Sequence, residues 1–177
     1  ADLERGDGLN SLQRFQKFLA KSPDSPEATQ AKKALAESFL LLKKFDEAKR
    51  IYEGMAKEMA NKPDGMEALY RVGDVEFASQ NYKAALERYA TAIKAFPAME
   101  QVFPNAHFNM AESHFWLGHY KQALDHYIRF LELFPSHEHG GYAMTRVGEL
   151  LGIMGADTTR VMGAFLESYF RFPKNPG

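Results

Sequence analysis

Five aromatic residues in register constrain this chain more than any other feature. Phe15, Tyr52, Tyr89, Tyr127 and Phe165 stand at successive spacings of 37, 37, 38 and 38 residues. A fixed period of about 20–50 residues marks a repeat architecture, in which each repeat buries its apolar face only by stacking on its neighbours. Other residues keep the same register. Ala48, Ala85 and Ala123 precede the three middle aromatics by four residues, and Pro23, Pro97, Pro135 and Pro173 follow the first, third, fourth and fifth by eight. The proline of the second repeat is displaced to Pro63, and Val161 stands where the last repeat would have its alanine.

Inside a repeat the apolar residues follow helical spacing. Leu69, Val72, Gly73 and Phe77 form one stripe, and Tyr82, Leu86, Tyr89 and Ile93 form another after the polar break Ser79-Gln80-Asn81. Each repeat therefore predicts two helices and a tight turn, and no strand pattern is present. Ala36, Gly73, Ala111 and Gly148 in the first helices, with the alanines of the second, let two backbones approach while the aromatics fill the space beside them. Proline ends the second helix, because it lacks an amide and disfavours helical geometry in the residue before it. An extra residue enters the last turn, between 154 and 158, so packing there is expected to be less regular.

These residues resemble tetratricopeptide repeats. The resemblance is carried by Leu69-x2-Val72-Gly73, Tyr82, Ala85, Tyr89, Ala92 and Pro97, and again by Met110-Ala111, Tyr120, Ala123, Tyr127 and Pro135. It covers almost the whole chain, and the surplus over the usual repeat of about 34 residues falls mostly at 98–105. HEAT-like helical pairs fit a period near 40 but leave the register unexplained. The resemblance implies an all-α, right-handed superhelical solenoid of antiparallel helix pairs in a single domain, 1–177. Its parts are a half repeat at 1–24 and repeats at 27–63, 64–98, 104–136 and 141–174. Residues 10–21 read as a second helix whose first helix is missing. Phe165, Tyr169 and Phe170 deny the final helix the polar face of a terminal cap. The expectation is a fragment of a longer array, or an end that pairs with a second copy.

The resemblance also implies a concave partner-binding groove lined by the first helices. The family's groove positions fall on Tyr70, Asp74 and Phe77; on Phe108, Glu112, Phe115 and Trp116; and on Tyr142, Thr145 and Glu149. One position is acidic in every repeat: Glu37, Asp74, Glu112 and Glu149. Such a ladder would draw in a basic or amine-bearing segment, with aromatics offering rigid contact area. The competing reading pairs each acid within its own helix, Arg71 with Asp74 and Arg146 with Glu149, on a solvated face. Lys33, Arg71, Asn105 and Asn109 echo the carboxylate clamp of chaperone-binding members, but the acids oppose a carboxylate ligand. Tyr52, Tyr89 and Tyr127 read as core; Trp116 reads as interface.

Composition and motifs narrow the function further. A net charge of −1 with mixed signs leaves no basic face for nucleic acid. No apolar run approaches the roughly 20 residues of a membrane span. Cysteine is absent, which removes disulfides, thiol catalysis and cysteine zinc sites. No nucleophile elbow, phosphate loop or HExxH occurs, so neither catalytic residues nor a cofactor are expected. Six histidines, His107, His114, His119, His126, His137 and His139, fall within 33 residues. His107 and His114 are two turns apart and His126 is on another helix, so only His137-x-His139 has local metal-site geometry, and surface or packing roles are preferred. The joint Phe18-Leu19-x3-Pro23-Asp24-Ser25-Pro26-x-Ala28 resembles that of bacterial cell-envelope members, such as outer-membrane assembly lipoproteins and the Tol-Pal coordinating protein, and this resemblance favours a periplasmic or cell-envelope setting over a cytoplasmic one. The expected function is a non-catalytic scaffold for a peptide or partner protein. A self-associating envelope array is the alternative, with a metal-dependent or hydrolytic protein behind it.

Overall fold

Helix ends in this chain are set by a device used four times. Lys43, Gln80, Gly118 and Gly155 adopt left-handed backbone angles (φ 57°, 62°, 74° and 75°) just after the first helix of each pair. The next amide then reaches back five residues: Lys44 N to Phe39 O (2.8 Å), Asn81 N to Glu76 O (2.9 Å), His119 N to His114 O (2.9 Å) and Ala156 N to Leu151 O (2.9 Å). This Schellman closure satisfies a carbonyl the helix leaves free and reverses the chain within a few residues.

The structure, a computed structural model, describes residues 2–172, with side chains from residue 10. The helices are α1 (Asp2–Lys21), α2 (Ala28–Leu41), α3 (Phe45–Glu58), α4 (Pro63–Ala78), α5 (Tyr82–Ala95), α6 (Pro104–Trp116), α7 (Tyr120–Leu133), α8 (Gly140–Ile153) and α9 (Thr158–Arg171), with a 3-10 turn at Pro97–Gln101. No strand occurs among the described residues. Two compact units result, one running to Pro97 and the other from Ala98.

In the N-terminal unit, α1 packs on α2 as a second helix does, with Leu12, Phe15 and Leu19 against the cluster of Leu35, Phe39, Tyr52 and Met55. The pairs α2/α3 and α4/α5 follow. In the C-terminal unit, α6/α7 and α8/α9 enclose Tyr127, Phe130, Leu131, Val147 and Leu150. The small-residue positions do what their spacing predicts. A Cβ on Gly73 would lie 2.6 Å from the Tyr89 ring, and one on Gly148 would lie 2.8 Å from that of Phe165. Ala36, Ala48, Ala85, Ala111 and Ala123 are fully buried at the equivalent crossings.

The prolines divide into two roles. Pro23, Pro97 and Pro135 follow the ends of α1, α5 and α7, whereas Pro63 opens α4. At a first helical position the missing amide is not needed and the fixed φ suits the helix, so Pro63 is a start signal rather than a stop. Pro173 lies outside the described residues. Three residues separate the helices of the first three pairs and four separate α8 from α9, where Asp157 caps α9 through Arg160 N (3.1 Å).

Candidate functional site

Each unit carries its own first-helix face, and the two are built from different side chains. In the N-terminal unit Lys33 of α2 reaches Asp64 (2.6 Å) and Glu67 (2.5 Å) at the start of α4. One turn on, Arg71 bonds Glu67 (3.4 Å) and Asp74 (3.2 Å), and Asp74 also accepts the Tyr89 hydroxyl (2.5 Å). Burial works against the charge on Lys33, but the hydrogen bonds and charges of Asp64 and Glu67 outweigh it and raise its pKa. Desolvation likewise opposes the Arg71 charge, and Asp74 foremost more than restores it. Glu37 is exposed on α2. Phe77 packs 5.9 Å from Tyr82.

In the C-terminal unit the centre is Arg146 of α8. Its guanidinium lies over Phe115 (4.3 Å) and Tyr142 (5.0 Å), donates to the Tyr142 hydroxyl (2.8 Å) and to Glu149 (2.8 Å), and faces Glu112 at 3.6 Å. Glu112 is 6% exposed and accepts the Tyr127 hydroxyl. Burial, then the adjacent Glu112, push the Tyr127 pKa up, and the same two causes raise Tyr142. Phe108 is half-buried among Tyr127, Phe130, His139 and Tyr142, with ring centroids 5.0–6.2 Å away. Trp116, 58% exposed, stands edge-on to Phe115 at 5.8 Å.

Two residues expected in the groove are turned elsewhere. Tyr70 is 1% exposed and donates its hydroxyl to the Phe96 carbonyl (3.1 Å), so its ring fills the helix-pair core rather than offering surface. Thr145 bonds Gly141 O (3.0 Å) and Ser168 of α9 (3.1 Å), which uses its hydroxyl inside the hairpin. The acids also divide. Asp74 and Glu112 each take the hydroxyl of a register tyrosine fifteen residues on, whereas Glu37 and Glu149 face outward. Pairing within one helix accounts for Arg71–Asp74 and Arg146–Glu149, but Glu112 is met by a cation from α8. Arg146 is the hub that sequence spacing undervalued, because its decisive contacts lie on another helix.

The histidines are gathered across helices as well. His107 Nε2 lies 2.5 Å from Glu100, and its Nδ1 lies 3.0 Å from Nδ1 of His126. The His126 ring stacks on His114 (5.4 Å, 12°), and His114 Nδ1 lies 3.4 Å from His119 Nδ1. His126 thus joins residues that sequence distance kept apart. Burial, then the charges of His107 and His114, push its pKa down to about 4. His137 instead stands edge-on to Phe130 and His139 stacks on Phe108, and His137 Nδ1 accepts the His139 amide (3.1 Å). Among the described residues no three or more histidine or carboxylate side chains come together in a way that could hold a metal ion, and no helix is long and apolar enough to cross a membrane.

The tetratricopeptide-repeat family matches at residues 56–100 and 104–137. No curated protein sequence matches this chain. Among solved structures it is similar to MamA, at 16% identity and a TM-score of 0.72 over 96% of this chain and 91% of that one. It is similar to the apo form of RapI at 14% identity and a TM-score of 0.77, over 97% and 70%. Bacillus thuringiensis PlcR, solved with the peptide PapR7 and DNA, matches at 14% identity and a TM-score of 0.71, with this chain spanning 65% of its length. At such identities the likeness concerns the fold, an all-helical array of paired helices.

Proposed function

We propose that this chain, a tetratricopeptide-repeat protein, is a non-catalytic scaffold that holds a peptide or partner protein against the first-helix faces of its hairpins. The observation that carries the reading is the C-terminal face, where exposed Trp116 adjoins an aromatic stack already locked around Arg146. A surface whose side chains are fixed before binding loses little entropy on contact, and exposed tryptophan beside arginine is the composition of an interface hot spot. The tyrosine hydroxyls already engage Asp74 and Glu112, which leaves Glu37 and Glu149 as exposed carboxylates, and of the two it is Glu149, already shared with Arg146, that lies on the C-terminal face proposed to hold the ligand. A segment bearing lysine or arginine suits it. That PlcR was crystallised with a peptide agrees with a peptide as ligand.

Selection from a displayed random-peptide library tests this, with the chain and its Trp116→Ala/Glu149→Gln variant as baits. Both positions are exposed, so the variant keeps its fold. Enrichment of basic, aromatic-containing peptides by the wild type and not by the variant supports the reading; equal enrichment by both overturns it.

A second reading is self-association through α9, favoured by Tyr169 (73% exposed) and Phe170 (74% exposed) beside Met162 and Leu166. A large exposed apolar patch marks an association surface. Light scattering of the chain and a Leu166→Glu/Phe170→Glu variant separates it from the first reading. The proposed setting remains the bacterial cell envelope, on the joint around Pro23 alone.

A further inference from the structure

We propose that His114 and His119 form a site for one borderline divalent transition-metal ion, of the class of Zn2+ or Ni2+, with two imidazole ligands from the protein and the other positions open to water. The backbone fixes where these two side chains start. Gly118 takes the left-handed conformation (φ 74°), its amide bonds Phe115 O (3.0 Å), and the His119 amide bonds His114 O (2.9 Å). In this closure the residue after the turn is brought over the residue five positions earlier, and the two side chains meet.

The other hairpins make the same juxtaposition with different chemistry. Lys44 lies over the Phe39 ring (5.9 Å), Asn81 bonds Glu76 (3.1 Å), and Leu151 and Ala156 hold the positions in the last hairpin. Only the third hairpin puts two imidazoles there: the backbone brings the two residues together, and their rotamers set the separation of the rings.

The ring geometry suits an ion better than a hydrogen bond. The two Nδ1 atoms are 3.4 Å apart, beyond the usual span of about 2.7–3.2 Å for such bonds. Two nitrogens each about 2.0–2.1 Å from a tetrahedral ion stand about 3.4 Å apart. The His126 ring, stacked 12° from parallel on His114, helps to hold the His114 plane. His119 is exposed, so an ion can enter from solvent. With two protein ligands the site is neither a closed structural zinc centre nor a three-ligand catalytic one, and its open positions exchange.

The test is calorimetric titration of the chain with Zn2+ and with Ni2+, joined to long-range 1H–15N spectra of the imidazoles. The expected result is one ion per chain, with the His114 and His119 Nδ1 resonances moving together. Changing His119→Ala, which removes no capping bond from α7, is expected to weaken binding at least tenfold. His139→Ala is expected to leave it unchanged. No binding by the wild type, undiminished binding by His119→Ala, or resonance changes confined to His137 and His139 would each overturn the proposal.

Discussion

The first-helix faces of the two units share a scaffold and a register but not a chemistry. In the N-terminal unit Lys33 and Arg71 are threaded between Asp64, Glu67 and Asp74, so the face is a chain of compensated charges. In the C-terminal unit one cation, Arg146, is held between Phe115 and Tyr142, and Trp116 is left outward. The repeat thus fixes where a side chain projects, and the side chain alone decides whether the surface is closed by ion pairs or offered to a ligand. Exposed ion pairs contribute little to stability, about 0–1 kcal/mol each, whereas a buried carboxylate stripped of its cation costs more.

The largest expected contrast lies under those faces. Gly73→Ala drives a methyl into the Tyr89 ring, which is fully buried and tethered by its hydroxyl to Asp74, and is predicted to destabilise by about 2–3 kcal/mol. Gly148→Ala meets Phe165, a half-buried ring without a hydroxyl, and is predicted to cost nearer 1 kcal/mol. Denaturant unfolding of both variants checks the difference; equal effects would mean that the tyrosine tether does not stiffen its crossing.

Next in size is removal of the hub. Arg146→Ala leaves Glu112 in place with no cation facing it and is predicted to lose about 1.5–3 kcal/mol, against about 1 kcal/mol or less for Arg71→Ala in its more solvated network. The same denaturant experiment reads both.

Acid should then separate the units, because all six histidines lie in the C-terminal one. His126 has a folded pKa near 4 against an ordinary 6.5, so the unfolded chain takes up its proton first as pH falls. Stability from this group is complete above about pH 6.5 and declines toward pH 4. Amide protection in α6 and α7, taken relative to the intrinsic exchange rate at each pH, is predicted to fall between pH 6.5 and 4.5 before that of α3 and α4, and His126→Phe is predicted to flatten the difference. The smallest stability effect is Trp116→Ala, expected within about 0.5 kcal/mol of wild type because the ring is mostly in solvent.

What could be read from sequence was what the period carries. Spacing located the helix pairs, the crossings at Gly73 and Gly148, and the tyrosines of the core, because stacked hairpins demand a small residue opposite a large one at a fixed interval. Single side chains escaped it. Tyr70 and Thr145 occupy groove positions by count, yet a carbonyl at Phe96 and a hydroxyl at Ser168 draw them inward. Spacing within one helix paired Arg146 with Glu149 and missed Glu112 and Phe115, which belong to α6. The histidines divide for the same reason: residues on two helices were judged apart, although antiparallel packing brings His107, His126 and His114 into one row. Pro63 read as a stop and acts as a start, since proline suits either side of a helix boundary.

The central claim is that the C-terminal face holds a peptide, and the chain's single tryptophan reports on it directly. Titrating a selected basic, aromatic-containing peptide while following Trp116 emission is predicted to give a saturable shift, with Glu149→Gln weakening binding several-fold and Glu37→Gln leaving it unchanged. Peptide binding by calorimetry with no change in Trp116 emission, and with equal affinity for Glu149→Gln, would contradict the account.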